Sequence, residues 1–284
     1  MTRIAASSRG EARLRLLRLV RRGDRHDPRE LTISFRLEGD FEPAFIEGRS
    51  DALLPGEALK NLVYRITREQ GTRELEALGL ALANEVLERQ RSLTRVRVEL
   101  AEQPWLRLEA AGKAQAQAFL SGSSEQRVAF VTTNGTQTSV VAGVEGLMLM
   151  GSAGFAPLRR SATDIPDDSG ASDHLQRLLV GALSARWTYT SGDVTFDVYR
   201  RAIRSAILES FAWHRSQSVQ HLLYAIADVV LATCEEIADV TLTFHERPYR
   251  PADLFSVGTE NPDELFLIAD EPIATVQVTV ERNA

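Results

Sequence analysis

The chain has 284 residues, 44% of them hydrophobic, and a formal net charge of −6 with a pI near 5.5. A chain of this length can bury a substantial core, as one large domain or as two of about 140 residues each. The acidic balance argues against a general nucleic-acid binder, because phosphate affinity requires a concentrated excess of Lys and Arg. In the arginine-rich start, basic residues alternate with leucines, the period of a strand with one solvated face.

No segment reaches the ~18 apolar residues of a membrane span, and the N-terminus lacks an apolar signal core. We therefore expect a cytoplasmic protein that binds neither membranes nor nucleic acids. The single cysteine, Cys234, lies in an apolar run, which favours a buried structural thiol over a nucleophile.

The first half reads as strand, strand, helix, helix, strand, strand. Gly23-Asp24 supplies the turn between the first two strands, and Pro55 stands where a first helical turn tolerates it. The predicted strands and helices are Ala12 to Val20, Glu30 to Leu37, helix Pro55 to Arg68, helix Arg73 to Gln90, Thr94 to Leu100 and Trp105 to Ala110.

The second half repeats this order. Asn134-Gly135 is a strong signal for a tight hairpin, and the stretch QRLLVGALSARW is interpreted as helical. The predicted elements are strands Arg127 to Thr133 and Ser139 to Met150, helices Phe196 to Ser216 and Ser218 to Cys234, and strands Val240 to Phe244 and Ile273 to Val280.

Antiparallel strands with helices gathered on one face predict an α+β fold of two ββααββ units, which we divide into residues 1–122 and 123–284. Each sheet would have open edges, and such edges are usually covered by other subunits.

Six segments carry a family resemblance, namely RELTISFRLEGDFEPAFIEG, LPGEALKNLVY, VVAGVEGLMLMGSAGF, QRLLVGALSARW, SVQHLLY and NPDELFLIADEP. In this order they resemble the uricases, the cofactor-free urate oxidases. The resemblance implies the tandem tunnelling fold, assembled into an oligomeric barrel. It further implies a homotetramer with sites at subunit interfaces.

The resemblance places the family's ligand-holding residues on Phe155, Arg177, Val219 and Gln220. A guanidinium fork at Arg177 and a carboxamide at Gln220 suit the edge of a planar heterocycle, because together they donate and accept hydrogen bonds. Phe155 would stack on the ring, and Val219 would contribute its backbone N–H. Each residue also has a plainer interpretation, namely a surface salt bridge for Arg177, a polar helix start for Gln220 and a core position for Phe155.

The positions that match the family's oxygen chemistry are changed. Glu11 stands at its lysine, Gly56-Glu57 at its threonine and aspartate, Glu246 at its asparagine and Pro248 at its histidine. His245 would restore an imidazole if that segment were shifted by one residue. The chain has two lysines, Lys60 and Lys113, and Lys60 matches a separate family lysine, so a lysine relay is not expected.

Replacing an ammonium by Glu11 and an amide by Glu246 makes the pocket more negative by two to three charges, which disfavours the urate anion. If both carboxylates face one pocket, a protonated acid beside a carboxylate base would suit proton transfer on a neutral, NH-rich ring. The alternative is that Glu11 points to solvent and Glu246 pairs with Arg247 or Arg250.

We therefore expect a uricase-like enzyme without metal or other cofactor that transforms a urate-like purine or related N-heterocycle, with O2 as co-substrate and Glu11 or Glu246 as base. The five histidines are scattered, and no phosphate-cradling glycine loop or dinucleotide fingerprint is present. The alternatives are a hydrolase or cyclase acting on a purine-like ring, an inactive homologue with a binding or structural role, and an authentic urate oxidase.

Overall fold

The structure is a computed structural model that describes residues 3–50, 53–70, 74–152, 178–216, 218–262, 264–268 and 274–282. The chain divides into two compact units. The first comprises Met1–Val144 with Trp187–Val198, and the second comprises Glu145–Arg186 with Tyr199–Ala284. The predicted division into residues 1–122 and 123–284 stays a prediction.

The elements of the first unit are β1 (Ser8–Arg22), β2 (Arg25–Gly39), α1 (Glu42–Ile46), α2 (Gly56–Gln70), α3 (Leu75–Arg89), β3 (Leu93–Gln103), β4 (Trp105–Ala110), β5 (Lys113–Ser121), β6 (Gln126–Thr133) and the start of β7 (Thr138–Gly151). They include an antiparallel sheet with the strand order β1-β2-β3-β6 and a separate β4-β5 hairpin. The predicted strands and helices of this half are present, with bounds that differ by a few residues, while α1 and β5 were not predicted.

Strand β6 had been predicted to open the second half, but in the structure it pairs with β3. It thereby supplies the fourth strand of the first sheet, the place that the sequence had assigned to β4. The hairpin predicted at Asn134-Gly135 lies between β6 and β7, and Asn134 Oδ1 accepts the backbone N–H groups of Thr136 and Gln137.

The core of the first unit lies between the sheet and helices α2 and α3. Alternate residues of β2 are almost fully buried on this face, while the residues between them remain partly open. Helix α3 packs on β3 and β6, and α2 packs on α3 and β1. Each large apolar side chain buried here contributes roughly 1.5–3 kcal/mol. The buried residues of β2 are Leu31, Ile33, Phe35 and Leu37.

The elements after β7 are β8 (Leu179–Tyr189), α4 (Phe196–Trp213), α5 (Val219–Thr233), β9 (Ile237–Glu246), β10 (Tyr249–Pro251), a short 3-10 helix (Phe255–Val257), β11 (Phe266–Ile268) and β12 (Ala274–Glu281). The second unit has the strand order β8-β9-β12, and α5 packs against β9 and β12. The predicted helices and strands of this half are confirmed, except in the stretch QRLLVGALSARW.

The helical interpretation of QRLLVGALSARW was wrong for the part that the structure describes. Leu179–Tyr189 is a strand in which Leu183, Ala185 and Trp187 are buried at every second position. A short apolar run does not distinguish the two periods by itself, and the neighbouring strand decides here.

Antiparallel sheets that bury one face against helices confirm the predicted α+β class. Among the helices that the structure describes, none is both long and apolar enough to cross a membrane.

A charge network ties together strands β2, β3 and β6 of the first sheet. Glu102 accepts hydrogen bonds from Arg29 Nε at 2.7 Å and from Arg127 Nη1 at 3.2 Å. The side chain of Glu102 is 15% exposed and that of Glu76 on α3 is 2% exposed. Oε2 of Glu76 lies 4.0 Å from Nη2 of Arg127. Because these charges are largely removed from water, loss of one partner leaves the others poorly compensated.

We expect Glu102→Gln to destabilise the protein by about 2–3 kcal/mol, because it removes a carboxylate from this largely buried network. The matched control is Glu99→Gln on the same strand, where Glu99 forms an exposed pair with Arg97 at 2.9 Å. That control should cost less than about 1 kcal/mol. Urea unfolding followed by circular dichroism measures both, and equal losses would contradict the role given to the network.

The cysteine prediction is confirmed with respect to burial. Cys234 is 1% exposed at the end of α5, and its carbonyl accepts a hydrogen bond from Arg282 Nη2 at 2.7 Å. Burial raises the pKa of the Cys234 thiol, although the charge of Arg282 opposes the shift.

We expect the Cys234 thiol to react with a disulfide reagent only when the protein unfolds. Since its pKa is higher in the folded state, the unfolded chain releases the proton first, and this group destabilises the fold as pH rises above the ordinary thiol pKa. Reaction with Ellman's reagent across a urea series, with Cys234→Ala as the blank, measures this. Fast reaction of the native protein would contradict it.

Candidate functional site

Two of the predicted residues meet in the first unit. Glu11 lies on β1, and Gly56 is the first residue of α2. A Cβ atom built on Gly56 would lie 3.3 Å from Oε2 of Glu11 and 3.6 Å from Nη2 of Arg9. The side chains of Arg9 and Glu11 therefore converge on the start of α2, and Gly56 leaves the space between them open.

A β-bulge directs Glu11 towards the helices. Glu11 pairs with Phe35 and Leu14 pairs with Ile33, so β1 has one residue more than β2 in this interval. Directly paired residues lie on the same face, and Phe35 and Ile33 are buried against the helices. Without the bulge, the alternation from Leu14 would put residues 12 and 10 on the face that meets the helices. With the bulge, Glu11 and Arg9 lie on that face instead.

The bulge holds Arg13 in the left-handed region, with φ of 60°. Ser34 stabilises this conformation, because its Oγ accepts the Arg13 backbone N–H at 2.9 Å. A non-glycine residue in this region costs roughly 1–3 kcal/mol and occurs preferentially at functional sites. Glu11 is partly exposed, and its carboxylate also reaches the start of α2.

Glu57 is exposed in the first turn of α2. A carboxylate there is favourable beside the positive end of the helix dipole, so the helix alone accounts for it. The Pro55 carbonyl accepts the Leu59 N–H at 3.1 Å. The N–H groups of Gly56, Glu57 and Ala58 make no hydrogen bond to any residue that the structure describes.

Val219 and Gln220 begin helix α5 in the second unit. Ser218 caps this helix, with its Oγ accepting the His221 N–H and its carbonyl accepting the Leu222 N–H, both at 3.1 Å. The backbone N–H groups of Val219 and Gln220 have no partner within the described part of the chain. Gln220 is exposed. Two orphan donors and a carboxamide are therefore open to a ligand at this helix start.

Glu246 and His245 are adjacent on β9 and lie on opposite faces. Glu246 is 8% exposed and lies on the same face as Leu242 and Phe244, which are buried. His245 is exposed on the other face, where its Nδ1 lies 3.0 Å from Thr275 Oγ1. In this register the imidazole lies in a polar row with Thr243 and Thr241 and does not share the environment of Glu246.

The beginning of β8 lies beside the end of β9. The Arg247 N–H donates to the Val180 carbonyl at 2.8 Å, and a Cβ atom on Gly181 would lie 2.5 Å from the His245 carbonyl oxygen. Glycine at 181 is therefore what permits this close approach next to Glu246. The predicted ligand residues Phe155 and Arg177 lie outside the residues that the structure describes.

A histidine pair next to α5 was not expected. The rings of His214 and His221 are 4.9 Å apart in an edge-to-face arrangement, although the helix is interrupted between them. His214 Nδ1 lies 2.5 Å from Oγ of the buried Ser216. Across the residues described, no three His, Cys, Asp or Glu side chains form a group that could hold a metal ion.

Arg9 is the residue that sequence reasoning missed. It does not fall on any position that the family resemblance marked, and the bulge that turns it towards α2 has no glycine or proline to indicate it. Two charged residues at positions 9 and 11, on one face of a strand, were the available signal.

Comparison with known proteins agrees with this fold. The family model for uricase matches residues 171–277. The chain is 29% identical to the uricase of Arthrobacter globiformis over 276 residues, which are 96% of the chain and 88% of that protein. It is 27% identical to the uricase of Danio rerio, with 96% and 93% covered. The crystal structure of the Arthrobacter globiformis uricase superimposes with a TM-score of 0.88 at 28% identity, covering 99% of this chain and 96% of that one.

The chain is similar to uricases over nearly its whole length. The resemblance noted in the sequence and the predicted tunnelling fold are thereby confirmed. A crystal structure of urate oxidase from Bacillus sp. TB-90, only 16% identical in sequence, superimposes with a TM-score of 0.79, so the same fold is found at low sequence identity. The roles of individual uricase positions in this chain remain predictions.

We expect Gly181→Ala to push β8 and β9 apart next to Glu246. The new methyl group would lie 2.5 Å from the His245 carbonyl oxygen and 2.5 Å from Cζ of Phe244, so the strands must shift. The expected loss of stability is about 1–3 kcal/mol in urea unfolding.

Gly192→Ala serves as the control, since its Cβ would lie 4.0 Å from the methyl groups of Leu80 and should change stability by less than about 0.5 kcal/mol. A wild-type unfolding midpoint for Gly181→Ala would show that the close approach is not required.

Proposed function

We propose that this uricase-like chain is a cofactor-independent enzyme that binds a urate-like purine or a related N-heterocycle and transforms it, with O2 as the co-substrate. The observation that carries the proposal is the start of α5, where the Gln220 side chain is exposed and the N–H groups of Val219 and Gln220 have no hydrogen-bond partner among the described residues. The uricases similar to this chain support the class of substrate.

The start of α5 suits a flat ring with alternating donors and acceptors. Backbone N–H groups at a helix N-terminus favour a carbonyl or an anionic ring atom, and the helix dipole adds to the attraction. The carboxamide of Gln220 donates and accepts at once, which matches a lactam or imide edge. In the proposal, Arg177 supplies a second donor pair and Phe155 stacks on the ring.

The chemistry is proposed to depend on carboxylates. Glu246 is buried at the end of β9, and a buried acidic side chain is a candidate for a functional role. Glu11 lies beside the start of α2, and its carboxylate makes no hydrogen bond or ion pair with a described residue. Either could accept a ring proton, which would leave an electron-rich heteroaromatic anion able to pass electrons to O2.

Assembly is part of the proposal. The open edge strands β1 and β12 are suited to contacts with other copies, because unpaired strand edges are otherwise a liability. We propose a homotetramer in which ligand sites are completed at subunit interfaces.

The experiment is a panel of purines, pteridines and related lactams incubated with the protein, with and without air. Ultraviolet spectra report ring transformation, and a peroxide assay reports reduction of O2. Turnover that requires air supports the proposal. Turnover without air indicates a hydrolase or cyclase, binding without turnover indicates an inactive homologue, and rapid consumption of urate indicates an authentic urate oxidase.

Site variants separate binding from chemistry. We expect Gln220→Ala and Arg177→Ala to weaken ligand binding roughly tenfold or more, because each removes hydrogen bonds to the ring edge. Glu246→Gln should leave the dissociation constant within about threefold and lower kcat by about 10²-fold or more, because an amide cannot accept the proton. Anaerobic titration gives the dissociation constants, and steady-state assays give kcat.

Gln137→Ala, at an exposed hairpin tip, is the control for replacing a glutamine and should match the wild type. If Glu246→Gln weakens binding as much as Gln220→Ala does, Glu246 is a binding residue and not the base.

A further inference from the structure

We propose that Arg9 and Glu11 form a donor and acceptor pair that binds one lactam edge, a C=O beside an N–H, of the heterocycle. This makes Arg9 a ligand-binding residue, which the family resemblance did not indicate. The inference rests on the proposed function and concerns residues of the first unit alone.

The guanidinium of Arg9 is held in place by the chain that enters α2. Its Nη1 donates to the Leu54 carbonyl at 2.5 Å, and its Nη2 is directed at the space in front of Gly56. Apart from this bond, the Arg9 guanidinium contacts no hydrogen-bond acceptor that the structure describes. One arm of the fork is thus anchored and the other is free, so little side-chain entropy is lost when a ligand binds.

Glu11 approaches the same space from the other side. Its Oε2 lies 3.3 Å from the position that a Cβ atom on Gly56 would take, and Nη2 of Arg9 lies 3.6 Å from the same position. No ion pair joins Arg9 to Glu11, although both reach this point. Two opposite charges that lie close together without pairing leave one donor and one acceptor available to a third group.

The position of the pair on the sheet supports a ligand role. Arg9 and Glu11 pair with Leu37 and Phe35, both buried, so they are charged residues on the apolar face of β1. They reach it through the bulge that strains Arg13. A strained backbone that places charge on an apolar face lowers stability, and such features are typical of binding sites.

The chemistry of the pair selects its ligand. A simple anion would be attracted by Arg9 and repelled by Glu11, and a simple cation would meet the reverse. A lactam edge satisfies both, because its carbonyl accepts from Arg9 while the adjacent N–H donates to Glu11. Gly56 has no side chain, so the ring edge can occupy the space in front of it.

The test uses xanthine in mildly acidic buffer, where it is uncharged, and its mono-N-methyl derivatives, each of which blocks one N–H. Dissociation constants are measured without air, by fluorescence or calorimetry, for the wild type, Arg9→Ala, Arg9→Lys and Glu11→Ala. The control is Arg15→Gln, an arginine on the same strand that is 66% exposed and pairs with Glu30. Thermal unfolding is recorded for every variant.

In the wild type, one methyl derivative should bind roughly tenfold or more weakly than xanthine, because its blocked N–H can no longer reach Glu11. Glu11→Ala should reduce this penalty to within about twofold, and Arg15→Gln should keep it. Arg9→Ala should weaken xanthine roughly tenfold, and Arg9→Lys should restore only part of the affinity, because an ammonium lacks the fork.

The proposal is overturned if Glu11→Ala shows the same loss of affinity for each methyl derivative, relative to xanthine, as the wild type does. It is also overturned if Arg9→Ala lowers the unfolding temperature while its affinity for xanthine stays unchanged. The second result would assign Arg9 to anchoring Leu54 alone. A wild-type protein that binds neither xanthine nor any other member of the heterocycle panel would contradict the proposed function as well. If the protein binds xanthine but Glu11→Ala leaves the affinity losses of the methyl derivatives unaltered, only the proposed ligand role of the Arg9 and Glu11 pair is contradicted.

Discussion

The burial of one face of the first sheet against α2 and α3 is the constraint on which the rest of this unit depends. That face must be apolar wherever helices cover it, and β2 follows this rule strictly with Leu31, Ile33, Phe35 and Leu37. Strand β1 departs from it at its beginning, because the bulge between Glu11 and Leu14 exchanges the two faces. The sheet therefore keeps a continuous core over most of its length and presents charge at the end that meets α2.

The second unit also places a charged side chain on the helix-facing side of a strand, but without a bulge. Strand β9 buries Val240, Leu242 and Phe244 on the helix face and then places Glu246 at the next position of the same alternation. A carboxylate is thus buried simply because it continues an apolar stripe by one step. In both units a glutamate occupies the helix-facing side near a strand end, Glu11 at the beginning of β1 and Glu246 at the end of β9.

Much of the fold followed from local patterns. The turn at Gly23-Asp24, the Asn134-Gly135 hairpin and the four long helices have strong signals in turn chemistry and period, and they are present. Strand β5 was missed because its alternating Ala and Gln residues have weak strand preference, and it is defined by pairing with β4. Strand β8 was taken for a helix because its apolar run fits both periods.

The candidate site was less predictable, for a physical reason. The family resemblance marks Glu11, Gly56, Val219, Gln220 and Glu246 as candidates, but it cannot show a change of strand register. The bulge involves Arg13, a residue with no special preference for the left-handed region, and a hydroxyl from the neighbouring strand supports it. Such a feature depends on tertiary pairing, so a single sequence does not reveal it.

This omission changes the electrostatic argument. Counting only substituted positions, the sequence implied a site more negative by two to three charges, unsuited to an anion. With Arg9 beside Glu11, the first unit contributes a guanidinium together with its carboxylate, and these charges largely offset each other at distances beyond the pair. In our proposal, the Arg9 and Glu11 pair therefore selects a ligand by its hydrogen-bonding pattern and not by its charge.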